Sequence, residues 1–165
     1  MMKAEFRETW FRQGEKIEGK TKTISLPFGR VSARALILRR RDGAILGTLH
    51  REGGELAPPG GAVDAGESPD QAVEREIREE NIQLVGDSGV WKTRFDVSYY
   101  DGYGELSIWY LFNVEDAVIG ECDENILTRW VDQGEDVWYP NLREQMLLMM
   151  IRTTPELVKY ELKTT

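Results

Sequence analysis

The chain has 165 residues, of which 41% are hydrophobic and 30% charged, a composition that suits one folded domain with its own core. The formal net charge of −8 argues against broad nucleic-acid binding, because such binding depends on Lys and Arg side chains that neutralise phosphates. Cys122 is the single cysteine and cannot form an internal disulfide, and no apolar run reaches the length of a membrane span or a signal-peptide core. These features predict a cytoplasmic protein without a membrane segment.

Residues 1–29 are predicted to form a β extension ahead of the main domain. The segment 21–26 alternates weakly between polar and apolar residues, as a strand does. Gly14 and Gly19 favour turns before that strand.

A hairpin of two strands is predicted next. The apolar run 31–38 has the composition of a buried strand, the Asp-Gly pair at 42–43 carries the hairpin-turn signal, and 45–50 is the returning strand. His50, the only histidine, is interpreted as structural or exposed rather than catalytic. Arg51 precedes a glycine-rich loop, across which its guanidinium can reach a phosphate.

Residues 58–68 are predicted to form a shaped loop that leads into a helix. Two prolines and three glycines in this stretch disfavour a helix interior or a central strand. Ser68 is a favourable N-cap, Pro69 suits the first helical position, and Gln71 completes a capping box. A helix is therefore predicted to begin at Pro69.

Three glutamates gather on one face of that helix. Glu76, Glu79 and Glu80 are spaced by three and four residues, so their carboxylates are neighbours that repel one another. A cation is expected among them, and oxygen ligands beside a Gly-rich loop suit a hard divalent ion such as magnesium. The alternative is a solvated acidic helix face on which Arg75 and Arg78 are interspersed.

The second half of the chain predicts more strands and a closing helix. Residues 91–100 and 106–114 are two strands around a turn at 101–104, and the second strand has two apolar faces, which places it centrally in a sheet. Residues 128–131 form a further short strand, and 140–151 has the apolar spacing of a helix. This order of elements predicts the α+β class.

The stretch from Gly61 to Glu80 resembles the signature box of the Nudix hydrolases. Gly61, Glu67 and the run 75–80 (Arg-Glu-Ile-Arg-Glu-Glu) match the fixed positions of that box. The resemblance implies a Nudix-like α/β/α sandwich with a mixed β-sheet, in a single domain over residues 1–165. It also leaves open a homodimer, since many such chains pair through extra N-terminal strands.

The match departs just after the glutamates. Ile82 and Gln83 stand where the family usually has a glycine and an aliphatic residue. Asn81 is expected to end the helix one position early, because asparagine tolerates the left-handed conformation in which helices often end.

The resemblance also implies the metal site, with Mg²⁺ as the ion and Mn²⁺ as a substitute. The ligands would be the carboxylates of Glu76, Glu79 and Glu80 and the carbonyl of Gly60. Glu79 would be either a third carboxylate ligand or the general base. Arg75 would hold the glutamates in register by pairing with Glu67, with Glu79 or with both.

A further carboxylate is expected from the acidic loop 121–124, where the family often keeps one. Glu124 is preferred there, and two downstream residues, Glu135 and Asp136, are the next choices. The sequence does not separate Glu76, Glu79 and Glu124 as the base.

The activity implied is magnesium-dependent cleavage of the pyrophosphate bond in a nucleoside diphosphate linked to another moiety, as in a nucleotide sugar, a dinucleotide or a nucleoside triphosphate. Arg51 is the candidate contact for a phosphate and Tyr99 for the base or sugar. The partner would be a small nucleotide rather than a long nucleic acid. The alternative is a catalytically silent Nudix-like nucleotide-binding module, which would normally have lost a glutamate or Arg75, all of which are intact here.

Overall fold

The computed structural model describes residues 2–12, 15–26, 29–86, 92–100, 103–139 and 142–159. In chain order the elements of these residues are β1 (Met2–Arg12), β2 (Glu15–Leu26), β3 (Gly29–Arg39), β4 (Ile45–Leu49), β5 (Gly60–Ala62), α1 (Pro69–Glu79), β6 (Ile82–Val85), β7 (Lys92–Tyr100), β8 (Tyr103–Val114), β9 (Asp116–Ile119), β10 (Leu127–Val131), α2 (Leu142–Thr153) and a 3₁₀ turn (Pro155–Leu157). Neither helix in these ranges is long and apolar enough to cross a membrane. The predicted turn residues 101–102, the strand start at 91 and the helix start at 140 lie outside the described residues.

A six-stranded mixed sheet forms the centre of the fold, in the order β10-β4-β3-β8-β7, with β5 paired to β3. The β3–β8 pair is parallel, whereas β3 with β5, β4 with β10 and β7 with β8 are antiparallel. The predicted central place of β8 is confirmed. The hairpin turn between β3 and β4 is confirmed as well, with Gly43 at φ +68°.

Two apolar layers cover the sheet because its strands alternate apolar side chains on both faces. On one face Ala33, Ala35 and Ile37 pack with the buried side of α1. On the other face Leu36 and Leu38 pack with α2, whose contribution includes Met146, Met149 and Met150. This arrangement confirms the α+β class and the α/β/α sandwich, and the methionines are core residues, as expected.

The N-terminal residues form a longer hairpin than the sequence predicts. β1 and β2 pair antiparallel along their whole length, with an irregularity where Arg7 faces Thr21 and Thr9 faces Glu18. The turn predicted at Gly19 is therefore wrong, because Gly19 lies inside β2 at this irregularity, where glycine is a common strand residue.

Three short strands, β5, β6 and β9, were not predicted. Gly60–Ala62 pairs with β3 as an edge strand rather than continuing the loop. β6 pairs with β9 in a separate two-stranded sheet, in which Ile82 faces Ile119. Ile82 is buried in the α1 layer, so the residue that departs from the family pattern starts a strand and packs in the core.

A buried polar cluster lies at one end of the β3–β8 pair. Ser32 Oγ donates to Glu105 Oε1 at 2.5 Å, and Arg34 Nη2 lies 3.1 Å from the same oxygen. Arg30 Nε is 3.5 Å from the other carboxylate oxygen. Burial alone would raise the pKa of Glu105, but the Ser32 hydroxyl and the two guanidinium groups outweigh it and hold the pKa below its ordinary value.

The variant Glu105→Gln is expected to lower the free energy of unfolding near neutral pH by roughly 2 kcal/mol, because an amide does not pair with the guanidinium groups. The folded-state pKa lies below the ordinary value of 4.5, so the carboxylate stabilises the fold above that pH and loses this effect as the pH falls through its folded-state pKa. Urea unfolding of both proteins near neutral pH and at about pH 3 measures the effect. A wild-type advantage that is equally large at acid pH would contradict this assignment.

Candidate active site and metal centre

The loop before α1 approaches β3 so closely that glycine is required in it. Gly60 has φ +146°, and a Cβ there would lie 2.8 Å from Arg34 Cα. A Cβ on Gly61 would lie 2.6 Å from Glu76 Cδ. The two glycines therefore let the loop reach both the sheet and the carboxylates of α1.

Hydrogen bonds at its start and the backbone conformation at its exit set the two ends of α1. The predicted capping box is present: Gln71 N donates to Ser68 Oγ at 3.2 Å, and Ser68 N donates to Gln71 Oε1 at 2.9 Å. The buried Tyr110 hydroxyl donates to Asp70 in the first helical turn. The helix ends at Glu79, and Asn81 has φ +53°, which confirms the expected early exit.

Arg75 is the cation among the glutamates. Its Nε and Nη2 donate to the two Glu67 carboxylate oxygens at 2.9 and 3.1 Å. Its Nη1 donates to Glu76 Oε1 at 2.8 Å and to Glu79 Oε2 at 2.9 Å. The hydrogen bonds to Glu67, and then those to the other two, raise the pKa of Arg75 above its ordinary value. Both predicted pairings of Arg75, with the loop and with the helix face, are therefore present.

Glu80 lies in a different environment, because its side chain is buried and does not pair with Arg75. Only 2% of the residue is exposed. Oε1 accepts a long hydrogen bond of 3.4 Å from Gly60 N, and Oε2 is buried without a hydrogen-bond partner. Burial raises the pKa of Glu80 to about 7, and the negative charges of Glu76 and Glu124 add to this rise.

Two residues at the acidic loop influence the pKa of this carboxylate. The charge of Glu124 acts on Glu80, and the amide of Asn125 opposes the rise in the Glu80 pKa as a donor would. The two amide atoms of Asn125 are nonetheless buried without hydrogen bonds of good geometry. Asn125 was not predicted; its one sequence signal was an uncharged amide directly after an acidic run.

The chemistry of the donor set fits a hard divalent cation. Glu80 has a buried oxygen without a partner, which is the environment that a cation would compensate. Gly60, Glu76 and Glu79 bring further oxygens to the same end of α1. In the described residues no three acidic, histidine or cysteine side chains meet the geometry of a metal site. Glu76 and Glu79 instead accept hydrogen bonds from Arg75.

The remaining candidate residues from the sequence lie outside the α1 cluster of glutamates and Arg75. Arg51 is exposed at the start of its loop, with its side chain packed against Gly54. Tyr99 belongs to β7, but its side chain is outside the description. Glu135 is engaged by Arg129, with Nη2 2.7 Å from Oε2, and Asp136 is 89% exposed. The charge of Glu124, by contrast, contributes to the raised pKa of Glu80.

Comparison with known proteins gives a family match and a curated relative. The family model of the NUDIX domain matches residues 29–146, which is more than half of the chain. The 8-oxo-dGTP diphosphatase of Haemophilus influenzae is 40% identical over 73 residues, covering 42% of this chain and 53% of the relative. The chain thus spans about half the length of the curated relative that it matches.

Solved structures share the fold. A bifunctional NMN adenylyltransferase/ADP ribose pyrophosphatase from Francisella tularensis, complexed with AMP and a manganese ion, has a TM-score of 0.60 and 21% identity, over 80% of this chain and 43% of that one. The MutT protein from Methanosarcina mazei Go1 has a TM-score of 0.57 and 20% identity, over 79% and 99%. The family match, the shared fold and the box residues of α1 agree, and the chain belongs to the NUDIX domain family.

Proposed function

We propose that the protein hydrolyses the pyrophosphate bond of a small nucleoside diphosphate derivative in the presence of Mg²⁺, with Mn²⁺ as a substitute. The observation that carries this proposal is the buried Glu80 carboxylate, whose Oε2 lacks a partner beside the Gly60 N–H and the Arg75–glutamate cluster. A buried charge without compensation is costly, and proteins keep such groups mainly where they have a function.

The residues divide into ligands and a positioning group. Gly60, Glu76, Glu79 and Glu80 would hold the ion. A bound divalent ion would neutralise charge on the phosphate oxygens and lower the pKa of a coordinated water. Arg75 would orient Glu76 and Glu79 while it anchors the loop through Glu67.

The proton of the attacking water would pass to Glu79, Glu76 or Glu124. Glu79 is 44% exposed and Glu124 is on the surface, so both can face a water at the mouth of the site. Glu76 is more enclosed, with 13% of its side chain exposed, which suits a ligand better than a base.

The substrate is proposed as a class. The names of the relatives concern 8-oxo-dGTP and ADP ribose, which share a pyrophosphate attached to a nucleoside. The net charge of −8 favours a small nucleotide with its own metal ion over a long nucleic acid. Arg51 would contact a phosphate and Tyr99 a base or sugar, in a cytoplasmic enzyme that is either monomeric or a homodimer.

A catalytically silent binding module is the second candidate. Such a protein would keep the fold and bind nucleotide without turnover. The intact Glu76, Glu79 and Glu80 and the complete set of Arg75 hydrogen bonds favour the enzyme.

The variant Glu80→Gln tests the proposal. It should lower magnesium-dependent turnover at least about 100-fold, because an amide is a poor ligand and carries no charge. The fold should persist, since a buried neutral amide costs no more than a buried carboxylate. Product release at a series of Mg²⁺ concentrations and thermal unfolding measure the two effects.

Glu74→Gln is the matched control, because Glu74 is exposed on the same helix. This control should keep wild-type turnover. Full activity of Glu80→Gln would contradict the proposed role of Glu80.

The variant Arg75→Lys should lower turnover by about 10- to 100-fold, the usual effect of losing a group that orients metal ligands. One ammonium group cannot reproduce the forked contacts to Glu67, Glu76 and Glu79. Arg78→Lys, on an exposed position of the same helix, is the control. Equal turnover of Arg75→Lys and Arg78→Lys in steady-state assays would show that the Arg75 guanidinium group does not position the carboxylates.

A further inference from the structure

The exit of α1 is tied to the acidic loop by both the main chain and the side chain of one residue. Asn81 Nδ2 donates to the carbonyl oxygen of Glu121 at 2.9 Å. The carbonyl oxygen of Asn81 accepts from Gly120 N, also at 2.9 Å. Both hydrogen bonds reach the chain just before Glu124 and Asn125.

Gly120 makes room for this amide. A Cβ on Gly120 would overlap Asn81 Nδ2 and lie 2.5 Å from Asn81 Cγ, and its three nearest neighbours are all atoms of the Asn81 side chain. Gly120 has no positive φ, so its own backbone does not require glycine. The need for a glycine here comes from the Asn81 side chain.

The backbone at position 81 does not explain the asparagine. A left-handed residue at a helix exit is most readily glycine, which adopts φ +53° without strain. What asparagine adds is the amide, and the amide is used on Glu121. The specific contribution of Asn81 is therefore the hydrogen bond from its side-chain amide to the carbonyl oxygen of Glu121.

Two further hydrogen bonds attach the loop, one to the last residue of α1 and one to the last residue of β4. Cys122 Sγ donates to the carbonyl oxygen of Glu79 at 3.3 Å, and Ile126 N donates to Leu49 O at 2.8 Å. Between these points lie Glu124 and Asn125, the two loop residues that act on Glu80. Asn81 and Cys122 thus attach the end of the loop that is nearest to α1.

We propose that Asn81 is a positioning residue, whose side-chain amide docks the loop 120–125 on the exit of α1 and so holds Glu124 and Asn125 beside Glu80. This inference rests on the proposed function where it concerns turnover. The docking itself is a property of the protein without metal or substrate and is measured separately.

The first variant is Asn81→Gly, which keeps the left-handed backbone and removes the amide. Hydrogen–deuterium exchange of the metal-free protein should become about fivefold faster in the peptide 120–126, as expected for the loss of one hydrogen bond, and stay unchanged in α1. The kcat should fall about 10-fold, the lower end for a group that positions others. The KM should stay within about twofold, since Asn81 is not proposed to touch the substrate.

Two more variants separate the amide from the size of the side chain. Asn81→Asp has the same shape but cannot donate to Glu121, so it should behave as Asn81→Gly does. Gly120→Ala should have the same effects in the wild-type background, because its Cβ displaces the amide. In the Asn81→Gly background Gly120→Ala should add little. Gln83→Ala, at an exposed position past the same exit, is the control and should match the wild type.

The outcomes are distinct. Unchanged loop exchange in Asn81→Gly, or equal and additive losses from Gly120→Ala in both backgrounds, would overturn the docking role. Faster loop exchange with unchanged kcat would overturn the link to turnover. A wild-type protein that hydrolyses no nucleotide would overturn the proposed function, while the exchange data would still decide the docking.

Discussion

The arrangement around α1 depends on the hydrogen bonds that the guanidinium group of Arg75 donates. Glutamates at helical spacing repel one another, and a helix that carries them alone would be destabilised. Arg75 donates to Glu67 on the loop, to Glu76 and Glu79 on the helix, and to the Ala62 carbonyl at the end of β5. One side chain thereby connects the three elements, and a planar fork with several donors is the group that can do so. The positive charge that offsets the repulsion between these glutamates is therefore supplied by the protein itself, through Arg75.

The Glu80 side chain is held in place in a different way, by the packing of α1 against the sheet. Its burial is unfavourable, and the surrounding structure maintains it: the capping box fixes the start of α1, and Ala72, Val73 and Ile77 anchor the helix on the sheet. The unpartnered Oε2 is thus held in place by interactions elsewhere in the fold. This combination of a well-packed helix and a buried carboxylate with one unpartnered oxygen is typical of a site prepared for a ligand.

Much of this arrangement could be predicted from local sequence. The capping box and the early exit at Asn81 depend on residues close in the chain, and local stereochemistry determines them. The pairing of Arg75 with Glu67 follows instead from the resemblance to the Nudix box. The strands β6 and β9 could not be predicted in this way, because their pairing joins segments far apart and their burial pattern is weak. The contact of Asn81 with Glu121 and the approach of Asn125 to Glu80 are also long-range. They become visible only when the fold brings the acidic loop to the end of α1.

The measurement that tests the central claim most directly is product release from a panel of nucleoside diphosphate derivatives and nucleoside triphosphates, with Mg²⁺ present and with the metal removed by a chelator. The account predicts cleavage at the pyrophosphate bond of one substrate class, lost on chelation and restored by Mg²⁺ or Mn²⁺. The absence of release across the panel, with Mg²⁺ binding still detected by calorimetry, would contradict hydrolysis and favour a nucleotide-binding module.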